Sequence, residues 1–90
     1  AMFNSGQCCC GIERIYVHRS HFDEFVDRAT AWTRQLRLGN PFDAATTLGP
    51  MANVRFAREV RAQVAEAVAA GAKPLVDPAA FPADDGGAYL

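Results

Sequence analysis

The sequence predicts an α/β fold from three observations. Two stretches carry apolar residues at helical spacing, around Phe22–Leu36 and Phe56–Val68. Short β-favouring runs flank them, Ile12–His18 before and Lys73–Val76 after. The connections are rich in Gly, Pro, Asn and Asp. The order strand–helix–helix–strand is the grammar of a mostly parallel sheet with covering helices.

In chain order, Ala1–Asn4 reads as the end of a helix entering a cysteine-bearing loop. Ile12–His18 reads as a strand, because Ile15-Tyr16-Val17 is continuously apolar, as when both faces of a parallel strand are covered. Ser20 is placed to cap the next helix, with Asp23 in the capping-box position. On that helix Phe22, Phe25, Val26, Ala29, Thr33 and Leu36 form the apolar stripe, with Trp32 packing at its edge. Acids come early and Arg34 and Arg37 late, as the helix dipole favours. Gly39-Asn40-Pro41 stops the element, and residues 42–51 form a loop. Asn53 caps a second helix running to about Ala70, with Gly71 as its left-handed terminator. Phe56, Val60, Val64, Ala67 and Val68 make its inner stripe, while Arg55, Arg58, Glu59, Ala62 and Glu66 face water. Residues 77–87 form a loop.

Ninety residues allow one small domain, and such a chain buries only roughly 60–65% of its unfolded surface. Half the residues are apolar and the net charge is −1, with both signs interspersed. No basic field for nucleic acid is present, and no apolar run is long enough for a membrane span. The opening Ala1-Met2-Phe3 and the closing Ala88-Tyr89-Leu90 are apolar and uncapped. They suggest a piece of a longer polypeptide. Two strands and two helices cannot close such a sheet without neighbours.

The chemistry concentrates in Asn4-Ser5-Gly6-Gln7-Cys8-Cys9-Cys10-Gly11, which holds every cysteine of the chain. Adjacent cysteines are poor disulfide partners, and metal sites prefer a gap between ligands, so no metal is expected. An odd, clustered set argues for reactivity in a reducing compartment, hence a cytoplasmic protein. Flanking glycines let a carbonyl approach sulfur, and a neighbouring backbone N–H can steady an oxyanion. On spacing alone, a nucleophile and an inert buried thiol remain equally open. His18, at the far end of the expected strand, lies beyond reach as a base. Asn4 and Gln7 are better suited to holding the loop than to chemistry.

The motif Phe3-Asn4-x-Gly6-Gln7-x-Cys9, followed by Arg14-Ile15-Tyr16-Val17-His18, resembles the nucleophile segment of the NAD(P)-dependent aldehyde dehydrogenases. The resemblance continues in order through Leu38-Gly39-Asn40-Pro41-Phe42-Asp43, Thr47-Leu48-Gly49-Pro50-Met51, Ala67-Val68 and Gly71-Ala72-Lys73. It implies that residues 1–90 are part of a single catalytic domain of that fold, with the cofactor-binding domain absent. It implies Cys9 as the nucleophile, with Cys8 and Cys10 as substrate-pocket candidates. In the family, thiolate attack on an aldehyde gives a thiohemiacetal, which passes a hydride to NAD or NADP, and water then releases the acid from the thioester. The full-length protein would be an oxidoreductase acting on a small-molecule aldehyde, and a homo-oligomer. The family's Glu-Leu-Gly-Gly base segment, its oxyanion-hole asparagine motif and its cofactor-ribose glutamate have no counterpart here. None of Glu13, Glu24, Glu59 or Glu66 lies in such a motif. Cofactor-binding residues are therefore not assigned, and the 90 residues alone are expected to be inactive. One rival is a non-catalytic thiol-containing or assembly module on the same fold. Another is a dehydrogenase that passes the acyl group to coenzyme A, which Gly6-Gln7-x-Cys9 disfavours.

Overall fold

Helix α1 spans Phe22–Thr33 and helix α2 spans Val54–Ala69 in a computed structural model that describes residues 1–90. Three short 3-10 turns, Phe3–Gly6, Arg19–His21 and Pro78–Ala80, complete the regular structure. Both helices lie where the apolar spacing predicts them. The start of α1 differs in detail. The His18 ring accepts from the Ser20 N–H at 3.3 Å and lies 2.9 Å from the Ser20 hydroxyl. Ser20 is thus tied up inside a 3-10 turn, and α1 begins one residue later than a Ser20 cap would set it. The end of α1 tightens into turns, with the Gln35 and Leu36 N–H groups donating to the Trp32 and Thr33 carbonyls.

For α2 the expected devices are in place. Asn53 is extended and its Oδ1 accepts from the Arg55 N–H at 2.8 Å. Gly71 takes a φ of +100°, and the Ala72 N–H reaches back to the Ala67 carbonyl at 2.9 Å.

The expected strands do not form. Residues 12–18 and 73–76 have no ladder partner, and the chain contains no named strand. The one bridge is a single parallel pair, Leu38 with Leu48. The physical reason is that β structure is made by neighbouring backbones. An apolar run can favour a strand, but it cannot supply the strand beside it. The strand–helix–helix–strand order therefore reduces to helix–loop–helix with irregular flanks.

The stripes are also mostly uncovered. Only Leu48, Met51 and Ala57 are buried. Phe22, Phe25, Phe56 and Val64 are exposed, Val26 and Val60 are half-buried, and Trp32 is 54% exposed, more than a packing residue would be. The two helices make no contact with each other. The accessible surface is 7171 Å², against ~5,100 Å² for a close-packed monomer of this mass. The radius of gyration, 13.8 Å, exceeds the ~12.2 Å of a compact chain of this length. The helices have their amphipathic pattern, yet apart from Ala57 and the half-buried Val26 and Val60 their inner faces stay largely uncovered.

What this chain does close by itself is its loop structure. The segments around Leu38 and Leu48 are pinned by backbone bonds, including the Gly39 N–H to the Leu48 carbonyl at 3.2 Å. Thr47 Oγ1 accepts from the Arg37 N–H at 2.8 Å. A Cβ on Gly39 would lie 2.6 Å from Thr46 Oγ1, so a larger residue there would force the Thr46 side chain to shift. Asn40 and Asp43 each accept from the N–H two residues on, which folds residues 40–46 into successive turns. Arg61 of α2 gathers the C-terminal segment. Its guanidinium donates to Asp84 Oδ1 and to the carbonyls of Gly86, Gly87 and Tyr89.

Candidate functional site

The cysteine segment is a turn built on left-handed backbone. Asn4, Ser5 and Gly6 have φ of 49°, 53° and 75° in succession. For L-residues this conformation costs roughly 1–2 kcal/mol each, with Asn the most tolerant after Gly. The expected end of a helix at residues 1–4 is therefore a 3-10 turn of unusual hand, Phe3–Gly6. A Cβ on Gly6 would meet nothing within 4 Å, so its role is the backbone angle and not space.

Side-chain tethers hold this conformation. The Asn4 carbonyl accepts from both the Gln7 backbone N–H and Gln7 Nε2, each at 3.0 Å. Ser5 Oγ donates to the Gly49 carbonyl at 2.7 Å, and Gln7 Oε1 accepts from the Ala52 N–H at 2.8 Å. Asn4 and Gln7 thus hold the loop, as their chemistry suggests. The long reach of Ser5 and Gln7 to residues 49 and 52 was not legible in the sequence. Both partners are backbone groups, which leave no mark on residue identity.

A second turn follows, closed by the Gly11 N–H on the Cys8 carbonyl at 2.9 Å. It places Cys9 at the outer bend. Cys9 and Cys10 are exposed, Cys8 is half-exposed, and all three are free thiols. The Cys8 and Cys10 sulfurs lie 3.2 Å apart. Both residues line a hollow of about 210 Å³ with Ala1, Phe3, Gly11 and Ile12, and Cys9 does not. Cys9 lies outside that hollow, although its thiol also forms a hydrogen bond with the Cys8 thiol. The Cys9 N–H donates to no protein acceptor.

The Cys8 thiol has its pKa lowered. The largest cause is a hydrogen bond from the Cys10 backbone N–H, followed by the Cys10 thiol, with a smaller share from the Cys9 thiol; burial works the other way. The motif itself marks Cys8 only as a pocket candidate beside Cys9. The His18 ring is engaged with Ser20 rather than with a cysteine. Glu24 and Glu59 pair with Arg28 and Arg55 on exposed helix faces. No group of three or more His, Cys, Asp or Glu side chains converges on a metal position. The largest hollow, about 740 Å³, is apolar and lined by Met2, Phe3, Trp32, Leu36 and Leu48 among others. It contains no cysteine and is the uncovered face beside the end of α1.

These residues do not fit a dinucleotide. Such a cradle needs a glycine-rich turn from a strand into a free helix N-terminus. Here α1 follows a 3-10 turn with Asp23 and Glu24 in its first turn, and α2 is closed by Asn53.

A glycine-flanked turn that carries an exposed Cys9 thiol at its bend and leaves the Cys9 N–H without an acceptor defines a candidate nucleophile site. The model of the aldehyde dehydrogenase family matches residues 1–90, and the chain belongs to that family. It is 43% identical over 70 residues to a 3-sulfolactaldehyde dehydrogenase of Priestia aryabhattai, covering 78% of this chain and 15% of that protein. It is 40% identical over 84 residues to a succinate-semialdehyde dehydrogenase (NADP(+)) of Mycobacterium avium, covering 87% of this chain and 18% of that one. A Mycobacterium tuberculosis protein, succinate-semialdehyde dehydrogenase (NADP(+)) 1, is 44% identical over 69 residues, covering 77% and 15%. The chain thus spans 15–18% of the length of these curated relatives. No solved structure matches. No helix is long and apolar enough to cross a membrane.

Proposed function

We propose that residues 1–90 are the nucleophile-bearing part of an enzyme that oxidises an aldehyde to a carboxylic acid with NAD or NADP. The observation that carries this reading is Cys9, an exposed thiol at the bend of the Gly6-Gln7-x-Cys9 turn in a chain of this family. Attack by its sulfur on the aldehyde carbon forms a C–S bond and places negative charge on the former carbonyl oxygen. The Cys9 N–H has no acceptor and is the group in this chain best suited to that oxyanion. The left-handed turn and its tethers to Gly49 and Ala52 hold the thiol outward. Cys8 and Cys10 flank it and are candidates for the pocket wall. The cofactor and the base that activates water belong to residues outside this chain, and no step through the cofactor is derived from these residues.

The relatives named for succinate semialdehyde and 3-sulfolactaldehyde suggest a small aldehyde carrying an anionic group as substrate. The full-length protein is proposed as a cytoplasmic homo-oligomer, where reducing conditions keep the three thiols free. The test is aldehyde-dependent reduction of NAD or NADP by the full-length polypeptide and its Cys9→Ser variant. Undiminished turnover in the variant refutes the assignment.

A further inference from the structure

We propose that Arg61 is a positioning residue for Cys9, acting through a relay of hydrogen bonds that runs from α2 to the cysteine turn. The inference rests on the reading of Cys9 as the nucleophile. The relay starts at a half-buried guanidinium. The Arg61 side chain is 27% exposed and that of its partner Asp84 13%, whereas the pairs made by Arg28 and Arg55 lie in water. Arg61 donates to the Asp84 carboxylate and to the carbonyls of Gly86, Gly87 and Tyr89. Gly86, at a φ of +84°, bends the chain so that these acceptors converge on one planar fork of donors.

Between the anchored Gly87 and Tyr89 lies Ala88, whose carbonyl accepts from the Met51 N–H at 2.8 Å. Met51 is buried, and the residues around it reach the other way. The Gly49 carbonyl accepts from Ser5 Oγ at 2.7 Å, and the Ala52 N–H donates to Gln7 Oε1 at 2.8 Å. Residues 49–52 are therefore held from two sides, by the cysteine turn and by the segment that Arg61 fixes. The chain itself closes the circuit, because Asn53 follows at once and caps α2, the helix that carries Arg61. The left-handed backbone at Asn4, Ser5 and Gly6 is costly and depends on these tethers. Loosening residues 49–52 frees the turn, and Cys9 sits at the bend that follows it. Nucleophile placement matters steeply, since a misplacement of about 1 Å can cost on the order of 10²-fold in rate.

The test uses the full-length enzyme, assayed well below the thermal midpoint of each variant so that all of it is folded. Arg61→Met should lower kcat and kcat/KM for the aldehyde together, by on the order of 10-fold, because the loss falls on the transition state. Gln7→Ala cuts the same relay at its other end. The double variant should therefore be no slower than the slower single one, a coupling that a merely structural arginine would not show in kcat. Arg58→Met, on the exposed face of the same helix, should keep kcat within about twofold. Arg61→Lys keeps a charge beside Asp84 without the planar fork and should fall between wild type and Arg61→Met. It takes the place of Arg61→Met in the cycle if that variant does not fold. Losses that multiply in the double variant, an undiminished kcat in the Arg61 variant, or an equal loss in Arg58→Met each overturn the proposal. Failure of the nucleophile reading shows separately, as undiminished turnover in Cys9→Ser.

Discussion

Residues 3–11 keep their shape through hydrogen bonds to partners this chain contains, whereas α1 and α2 carry apolar faces that residues 1–90 leave largely uncovered. The cysteine turn adopts three left-handed residues in a row, a costly backbone, and still forms because Ser5 and Gln7 find carbonyl and N–H partners at Gly49 and Ala52. The helices have favourable backbone and a correct pattern, yet Phe22, Phe25, Phe56 and Val64 remain exposed. Directional bonds between short segments can be completed locally. Apolar burial needs area, and area comes from further layers.

The largest effect should come from the turn. In the full-length enzyme, Cys9→Ser should lower the rate of aldehyde oxidation by on the order of 10³-fold or more, because removing a nucleophile removes the covalent route. Cys8→Ser and Cys10→Ser should retain measurable turnover. Steady-state assays with cofactor absorbance distinguish the three. Near-equal losses in all of them would mean that the turn acts as a unit, with no single nucleophile.

The helices should show the opposite dependence on context. Phe25→Ala or Phe56→Ala should cost ~3–5 kcal/mol in the full-length protein, the cost expected of a Phe that further layers of the fold bury. The isolated 90 residues should give a broad thermal transition and no saturable binding of NAD or NADP. Ordering the backbone costs on the order of 1–2 kcal/mol per residue, and three buried side chains cannot offset that. Circular dichroism against temperature and a cofactor titration are the measurements. A sharp cooperative melt of the isolated chain would show that its exposed faces need no partner.

This contrast also explains what could be read from the sequence. The existence of both helices, the Asn53 cap and the Gly71 terminator are encoded within a few residues of where they act. The β-favouring runs are equally visible, but a strand is a property of two segments, and residues 12–18 and 73–76 have no neighbour here. At the site, the ordered motifs pointed to Cys9. They gave no sign that the Cys8 and Cys10 sulfurs would meet, because that contact depends on the turn closed by Gly11 and on backbone angles that no residue type announces. His18 as a cap on the Ser20 N–H was hidden for a similar reason, since histidine is not a usual N-cap and Ser20 is.

Smaller effects would sharpen the comparison on each side. Asn53→Ala should cost about 1 kcal/mol of stability, the usual worth of an N-cap, read from denaturant midpoints of the full-length protein. Gln7→Ala should cost a similar ~1 kcal/mol through one lost hydrogen bond at 2.8 Å and a freed turn. Its effect on turnover should exceed that of Asn53→Ala, because Gln7 holds the cysteine turn and Asn53 only starts a helix. Equal effects on turnover would show that the tether to Ala52 does not position the thiol.

The subtlest prediction concerns the titration of Cys8. Its pKa is depressed, so at a given pH below the ordinary thiol value more of it is thiolate than in an unfolded chain. Alkylation of Cys8, followed by mass spectrometry over a pH series, should therefore reach half its maximal rate at a lower pH in the folded protein than in urea. Linkage gives the matching sign for stability. A group depressed on folding contributes fully above its unfolded pKa, and that contribution is lost as pH falls through the folded value. The causes can be separated by substitution. Cys10→Ala removes the Cys10 thiol but keeps the backbone N–H, which is the larger cause. The midpoint should therefore move up only part of the way to the unfolded value. A complete return to that value would assign the shift to the thiol alone, and no movement would assign it to the backbone.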